Sequence, residues 1–284
     1  MTRKLVALVD ASAYARSVCD HAAWIASRTD LSVELLHVLG RRETGGGGGD
    51  LSGQIALGAR SSLLKNLTEL DERRAKLSTE RGRAILEDAR AIVRAAGVEA
   101  SEHLRRGDLL EAVDDIKGSA DMIVVGKRGE AADFAREHLG SNLERIMRGA
   151  GSPLFVASRA FKPIESVLVA YDGSDSAMRA VEFVAASPLY RGLAVTIVMA
   201  GDESGRSTHQ IDEAKARLNS AGLDAGAEIV AGNPEDVLAE TIEKRGIGHM
   251  VMGAAGHSRL RALFVGSTSL EMIRTCKVPV LLVR

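Results

Sequence analysis

The chain begins again after 162 residues. Its opening run L-V-A-L-V-D-A-S, from Leu5 to Ser12, returns as L-V-A-Y-D-G-S from Leu168 to Ser174, so that Asp172 stands 162 positions after Asp10. At the same offset L-S-V-E-L-L-H-V (Leu31 to Val38) overlays L-A-V-T-I-V-M-A (Leu193 to Ala200); farther on, at a shorter offset because the second copy lacks most of the insertion, M-I-V-V-G (Met122 to Gly126) overlays H-M-V-M-G (His249 to Gly253). A repeat of this length means two copies of one domain, not a solenoid of small units. The 284 residues suffice for two cores, and 45% hydrophobic with 26% charged residues is a globular composition. The copies are expected over 1–159 and 160–284, with Phe161 to Glu165 as linker and Pro163 as its punctuation.

Within each copy, short apolar runs alternate with stretches of helical periodicity, which predicts parallel α/β winding. In the first copy the strands fall at Lys4–Val9, Leu31–Val38, Val98–Leu104, Asp121–Val125 and Pro153–Ala157. The segment Gly40 to Asp50 contains five consecutive glycines and no G-x4-G-K-[ST] pattern, so it reads as a linker and not a phosphate loop. Leu57 to Ala96 is charged and helical in pattern; Gly82 and the polar Leu77-Ser78-Thr79 region interrupt it, leaving one long helix or two consecutive ones. An insertion over about 40–76 is therefore expected, and it exceeds what a crossover requires, so part of it is expected to project towards a partner.

The chemistry concentrates between Met250 and Arg284. An apolar run ends at Gly253, Gly256 follows, and nine residues later Gly266, Ser267, Thr268 and Ser269 open an amphipathic segment. Glycine after a strand lets backbone amides approach a ligand, and a helix start with free N–H groups holds a phosphate. A turn and a helix cap account for any one of these residues; the combination points to an anion site.

This spacing, G-x2-G-x9-G-S followed by V-P-V-L-L-V-R, resembles the nucleotide-binding signature of the universal stress proteins, and the likeness covers all but the insertion. The resemblance implies a Rossmann-like fold related to the adenine nucleotide alpha hydrolases. Each copy would be an open five-stranded parallel sheet of order 3-2-1-4-5, with helices on both faces. It also implies ATP, ADP or AMP, with magnesium, as ligand. In the second copy Ala170, Tyr171 and Asp172 would lie near the adenosine, and Ala200 would contact adenine through its backbone. Met252 and Gly253 would form the phosphate turn, with Gly256, His257, Gly266, Ser267, Thr268 and Ser269 around the phosphates. Asp172 also reads as a helix cap or Asx turn without ligand, and His257 as a bystander. The first copy carries a degraded version at Val9, Asp10, Val38, Val125, Gly126, Gly129, Gly140, Ser141 and Asn142. Ten residues separate Gly129 from Gly140, Leu143 stands in place of Ser269, and Glu130 in place of His257. A carboxylate there opposes phosphate, and Lys127 and Arg128 are expected to offset it. Weaker binding follows for this copy.

Other classes find less support. A net charge of −1 argues against nucleic acid or an anionic membrane as the main partner. Cys19 and Cys276 form no disulfide framework or metal cluster, no apolar run approaches about 18 residues, and the start lacks a leader pattern, so a soluble cytoplasmic protein is expected. No G-x-S-x-G elbow or paired carboxylates appear, so catalysis is expected to be slow ATP hydrolysis at most. A flavin-dependent or adenylating enzyme of similar architecture finds no residues to fill its roles. The leading expectation is a nucleotide-binding sensor of the stress response; the alternative is a nucleotide-free scaffold that acts through an unknown protein partner. The apolar runs Pro153–Ala157 and Pro279–Val283 read as sheet edges that invite pairing. In the family such fifth strands meet across a two-fold axis, which implies pairing of the two copies within one chain. A homodimer would use the helical insertion.

Overall fold

The computed structural model describes residues 3–40, 57–129, 141–254 and 267–284. The first half runs β1 (Lys4–Leu8), α1 (Ala15–Arg28), β2 (Ser32–Leu39), α2 (Leu57–Ala95), β3 (Ala100–Arg106), α3 (Leu109–Asp115), β4 (Met122–Gly126), α4 (Ser141–Gly149) and β5 (Leu154–Ala157). The second repeats the plan with β6 (Ser166–Ala170), α5 (Asp175–Ala186), β7 (Ala194–Ala200), α6 (Gly205–Ser220), β8 (Ala225–Val230), α7 (Pro234–Arg245), β9 (His249–Gly253), α8 (Ser267–Thr275) and β10 (Val280–Val283). Each half has the order 3-2-1-4-5, and the two form a single ten-stranded sheet, β3-β2-β1-β4-β5-β10-β9-β6-β7-β8.

The fifth strands, edges of their own halves, meet at the centre. β10 pairs β5 antiparallel in the register Val280↔Val156, Leu281↔Phe155 and Leu282↔Leu154, while all other pairings are parallel. One half therefore runs opposite to the other, and their carboxyl rims lie at opposite ends of the strands. Both strands are buried on both faces, as their uninterrupted apolar sequences require. The cores above and below the sheet each continue across this seam: α1, α2, α5 and α6 cover one face, and α3, α4, α7 and α8 the other.

Helix α2 is continuous through Gly82. A Cβ there would meet the Leu104 side chain at 2.7 Å and His37 at 3.1 Å, so the glycine allows close packing on β2 and β3 instead of ending the helix. Gly82, Leu86, Ala89 and Val93 form its buried stripe, and Leu70 and Leu77, a turn or more earlier, are exposed. The glycine-rich loop lies mostly outside the described residues.

Side chains reinforce the seam. Arg28 of α1 donates to the carbonyls of Leu189 (2.8 Å) and Arg191 (2.5 Å) in the other half. Arg284 donates to the Met147 carbonyl, and Lys127 to the Cys276 carbonyl. Phe155 lies between two imidazoles, His21 at 5.3 Å and His249 at 5.0 Å between ring centroids. His249 stacks also on Tyr190 (6.0 Å), and its Nδ1 lies 3.0 Å from the Pro279 carbonyl. His21 Nδ1 lies 2.6 Å from the Ser17 carbonyl, and its Nε2 is buried without a partner. Burial pulls His21 down to about 4 and His249 down to about 3, against smaller upward effects of those carbonyls. Both rings are therefore neutral at pH 7.

Because their folded values lie below the unfolded value, stability is fully present above pH 6.5 and falls as the unfolded chain takes up protons that the folded chain refuses. Between pH 7 and pH 5 the two rings together are expected to cost about 3–4 kcal/mol. Denaturant melts at both pH values test this. A His21→Phe, His249→Phe chain is expected to lose most of the pH slope, and an unchanged slope would contradict the assignment.

Candidate functional site

In an open parallel sheet the ligand crevice lies beyond the carboxyl ends of the strands, where strand order reverses. In the second half that point is β6, which pairs β7 on one side and β9 on the other; Ala170 stands between Val198 and Met252. Ala170, Tyr171 and Asp172 leave β6 there, Ala200 ends β7, and Met252 and Gly253 end β9. The sheet thus gathers on one rim the predicted residues from three strands.

Local bonds fix the rim. Tyr171 N–H donates to the Val198 carbonyl (2.9 Å), and its ring is buried. Burial, with the Glu213 and Asp172 carboxylates adding, pushes the Tyr171 phenol above its ordinary range. Asp172 is exposed, and its Oδ1 accepts from Ser174 N–H (3.0 Å), an Asx turn. The cap of α5 is Ser174, whose hydroxyl accepts from Ala177 N–H (3.2 Å). The cap reading therefore moves from Asp172 to Ser174, and the carboxylate is held at the crevice mouth.

Gly253 has a packing reason of its own. A Cβ there would lie 2.6 Å from the Ser176 carbonyl carbon and oxygen and 2.9 Å from Ala177 N, so β9 ends directly against the first turn of α5. Ser269 is buried in α8 and turns its hydroxyl to the Gly253 carbonyl (3.4 Å), tying α8 to the same turn. Thr268 is half-buried beside it. Gly256, His257 and Gly266 lie outside the described residues, as does the side chain of Ser267.

The first half brings Val9, Asp10, Val38, Val125, Gly126 and Gly129 to the opposite rim, with Asn142 exposed in the first turn of α4. Gly140, Glu130 and the Ser141 side chain lie outside the described residues. Asp10 makes the same Asx turn to Ser12 N–H (3.0 Å). Two features mark this rim. Gly129 approaches Asp10 so closely that a Cβ would lie 3.0 Å from Oδ2. His37, which the sequence reading passed over, is buried and holds its Nδ1 2.7 Å from the Val9 carbonyl, at the position where the second half has Met199. Lys127 does not serve this rim as expected: its side chain is buried and donates across the seam to Cys276. A register-level comparison of the two copies, His37 against Met199, was the available signal.

Among the described residues no group of three His, Cys, Asp or Glu side chains is placed to hold a metal, and no helix is long and apolar enough to cross a membrane. Gly253→Ala is expected to cost about 1–3 kcal/mol by overpacking, with or without nucleotide. A melting curve matching the parent chain would show that β9 and α5 are not in such contact.

Comparison with known proteins gives these features a family. The model of the universal stress protein family matches residues 1–158 and again 163–284. The universal stress protein Slr1230 of Synechocystis is 35% identical over 286 aligned residues, which cover 99% of this chain and all of that protein. The crystal structure of a universal stress protein from Archaeoglobus fulgidus superposes with a TM-score of 0.75 at 20% identity, covering 100% of this chain and 99% of that one. A universal stress protein in complex with cAMP matches 43% of this chain and 98% of its own, at 28% identity and a TM-score of 0.38. With both halves matched, the chain belongs to the universal stress protein family.

Proposed function

We propose that the second half binds an adenine nucleotide and that the protein acts as a binding or sensing module. The observation that carries this reading is the convergence on one rim of Asp172, Ala200, Met252 and Gly253, followed in sequence by the G-x2-G-x9-G-S run. A carboxylate held by its own Asx turn at the crevice mouth suits the hydroxyls of a ribose, which donate to it. The half-buried end of β7 at Ala200 suits an adenine edge. Gly256, His257 and Gly266 to Ser269 stand in sequence where the phosphates would lie, ahead of a helix whose N-terminus favours anions. ATP, ADP and AMP share these contacts, and magnesium would reach the site through phosphate oxygens.

The first half is proposed to bind nucleotide more weakly. Its turn lies against the Asp10 carboxylate, which repels phosphate, and Lys127 is committed elsewhere. The rival reading, a nucleotide-free interaction protein, draws support from the packing that accounts for Gly253 and Ser269 without a ligand. Occupancy of the second rim would alter the surface around α5 and α8, which a partner protein or a second copy could read.

The test is the nucleotide released by heat from purified protein, compared with Gly266→Glu, which puts a carboxylate at the phosphate-binding helix start. The expected result is a single adenine nucleotide per chain, lost in the variant. Two per chain would show that the first half binds as well. None, even after incubation with ATP and magnesium, would remove the sensing reading and leave the scaffold.

A further inference from the structure

The antiparallel seam creates a second chemical environment, beside the Gly126–Gly129 turn of the first half and on the rim opposite the second-half crevice. Because β5 and β10 run in opposite directions, the chain leaving β5 lies beside the chain approaching β10, so Arg159 falls opposite Lys277. The exit of β4 contributes Lys127 and Arg128, and the end of α8 contributes Arg274 and Cys276. These residues, with Tyr14, line a cavity of about 240 Å³. Among the described residues that line it, five are cationic and none is acidic.

Gathering like charges is unfavourable unless something compensates them. Arg274 has a partner, Glu271 on its own helix, at 2.5 and 2.9 Å. Lys127 is buried and gives one hydrogen bond to the Cys276 carbonyl, while an ammonium carries three donors. Burial, more than the neighbouring Arg128, draws Lys127 down to about 8, still largely protonated at pH 7. Arg159 and Lys277 are exposed at the mouth. The opposite seam carries fewer cations: where the first half has Lys127 and Arg128 after its β4 glycine, the second has Ala254 and Ala255, and Gly151 stands at the counterpart of Lys277, while Arg148 keeps the place of Arg274 and Arg284 that of Ser158.

We propose that this cavity is an anion site for a small ligand bearing two or more phosphates, bridging the two halves beside the first half's turn and separate from the second-half nucleotide crevice. The Arg159 guanidinium offers paired N–H donors to phosphate oxygens, Lys127 and Lys277 offer point charges, and Arg128 and Arg274 add positive charge around them. The volume of about 240 Å³ accommodates a diphosphate group. Occupancy would link α8, which ends at the cavity, to β4 of the other half.

The probe is inorganic pyrophosphate, titrated calorimetrically into the full chain at about 0.15 M salt, where long-range attraction is screened. Saturable binding of a single pyrophosphate per chain is expected. Arg159→Ala with Lys277→Ala, both exposed positions, is expected to weaken it about tenfold or more. Arg206→Ala with Lys215→Ala removes the same charge from α6 and is expected to leave it unchanged. No saturable binding, or equal weakening in both double variants, would overturn the site. Loss of pyrophosphate binding when the protein is first saturated with AMP would assign the phosphates to the nucleotide crevice and equally overturn it. Failure of adenine nucleotide to bind leaves this titration untouched, so the two readings stand or fall separately.

Discussion

The pairing of β5 with β10 is the contact on which the rest of the molecule depends. Each strand has four residues, and isolated in its own half each would be an exposed apolar edge. Joined, they turn two open sheets into one and extend both cores through the middle of the protein. Desolvation then governs everything nearby: His21, His249, Phe155 and Tyr190 stack in a region too dry to keep an imidazole charged. The antiparallel direction also sends the two crevices to opposite ends of the strands, so a ligand in one does not touch the other.

The same pairing makes the halves unequal. Lys127, placed by sequence beside the first phosphate turn, is drawn across to the Cys276 carbonyl, and its counterpart Ala254 has no such reach. His37 fixes the Val9 carbonyl at the first rim, where Met199 of the second half has no donor to offer. The duplicated domain thus uses the exit of β4 in its first copy to hold the pair together, while its second copy keeps the G-x2-G-x9-G-S spacing.

Much of this was legible in the sequence. The 162-residue offset, the apolar runs and their glycine stops mark the strands to within a residue or two, and the fifth-strand pairing followed from two apolar edges and the family's symmetry. What escaped was set by contacts distant in sequence. Gly82 reads locally as a helix breaker, but it is a contact point for Leu104 and His37, which only the folded sheet brings near. Gly253 reads as a ligand turn, yet the Ser176 backbone alone already excludes a side chain there. His21 and His249 carry no pattern that announces a shared aromatic neighbour, and Arg159 and Lys277 meet only because β5 and β10 run antiparallel. Periodicity reports a segment's own burial, whereas these roles belong to pairs.

Amide hydrogen exchange resolved to individual strands tests the central pairing most directly. If β5 and β10 form the middle of one cooperative sheet, the amides of Phe155 and Leu281 should exchange only through global unfolding, far more slowly than those of the outer strands β3 and β8. Exchange at Phe155 and Leu281 as fast as in the outer strands would mean that the halves part readily, and would contradict the seam on which this account is built.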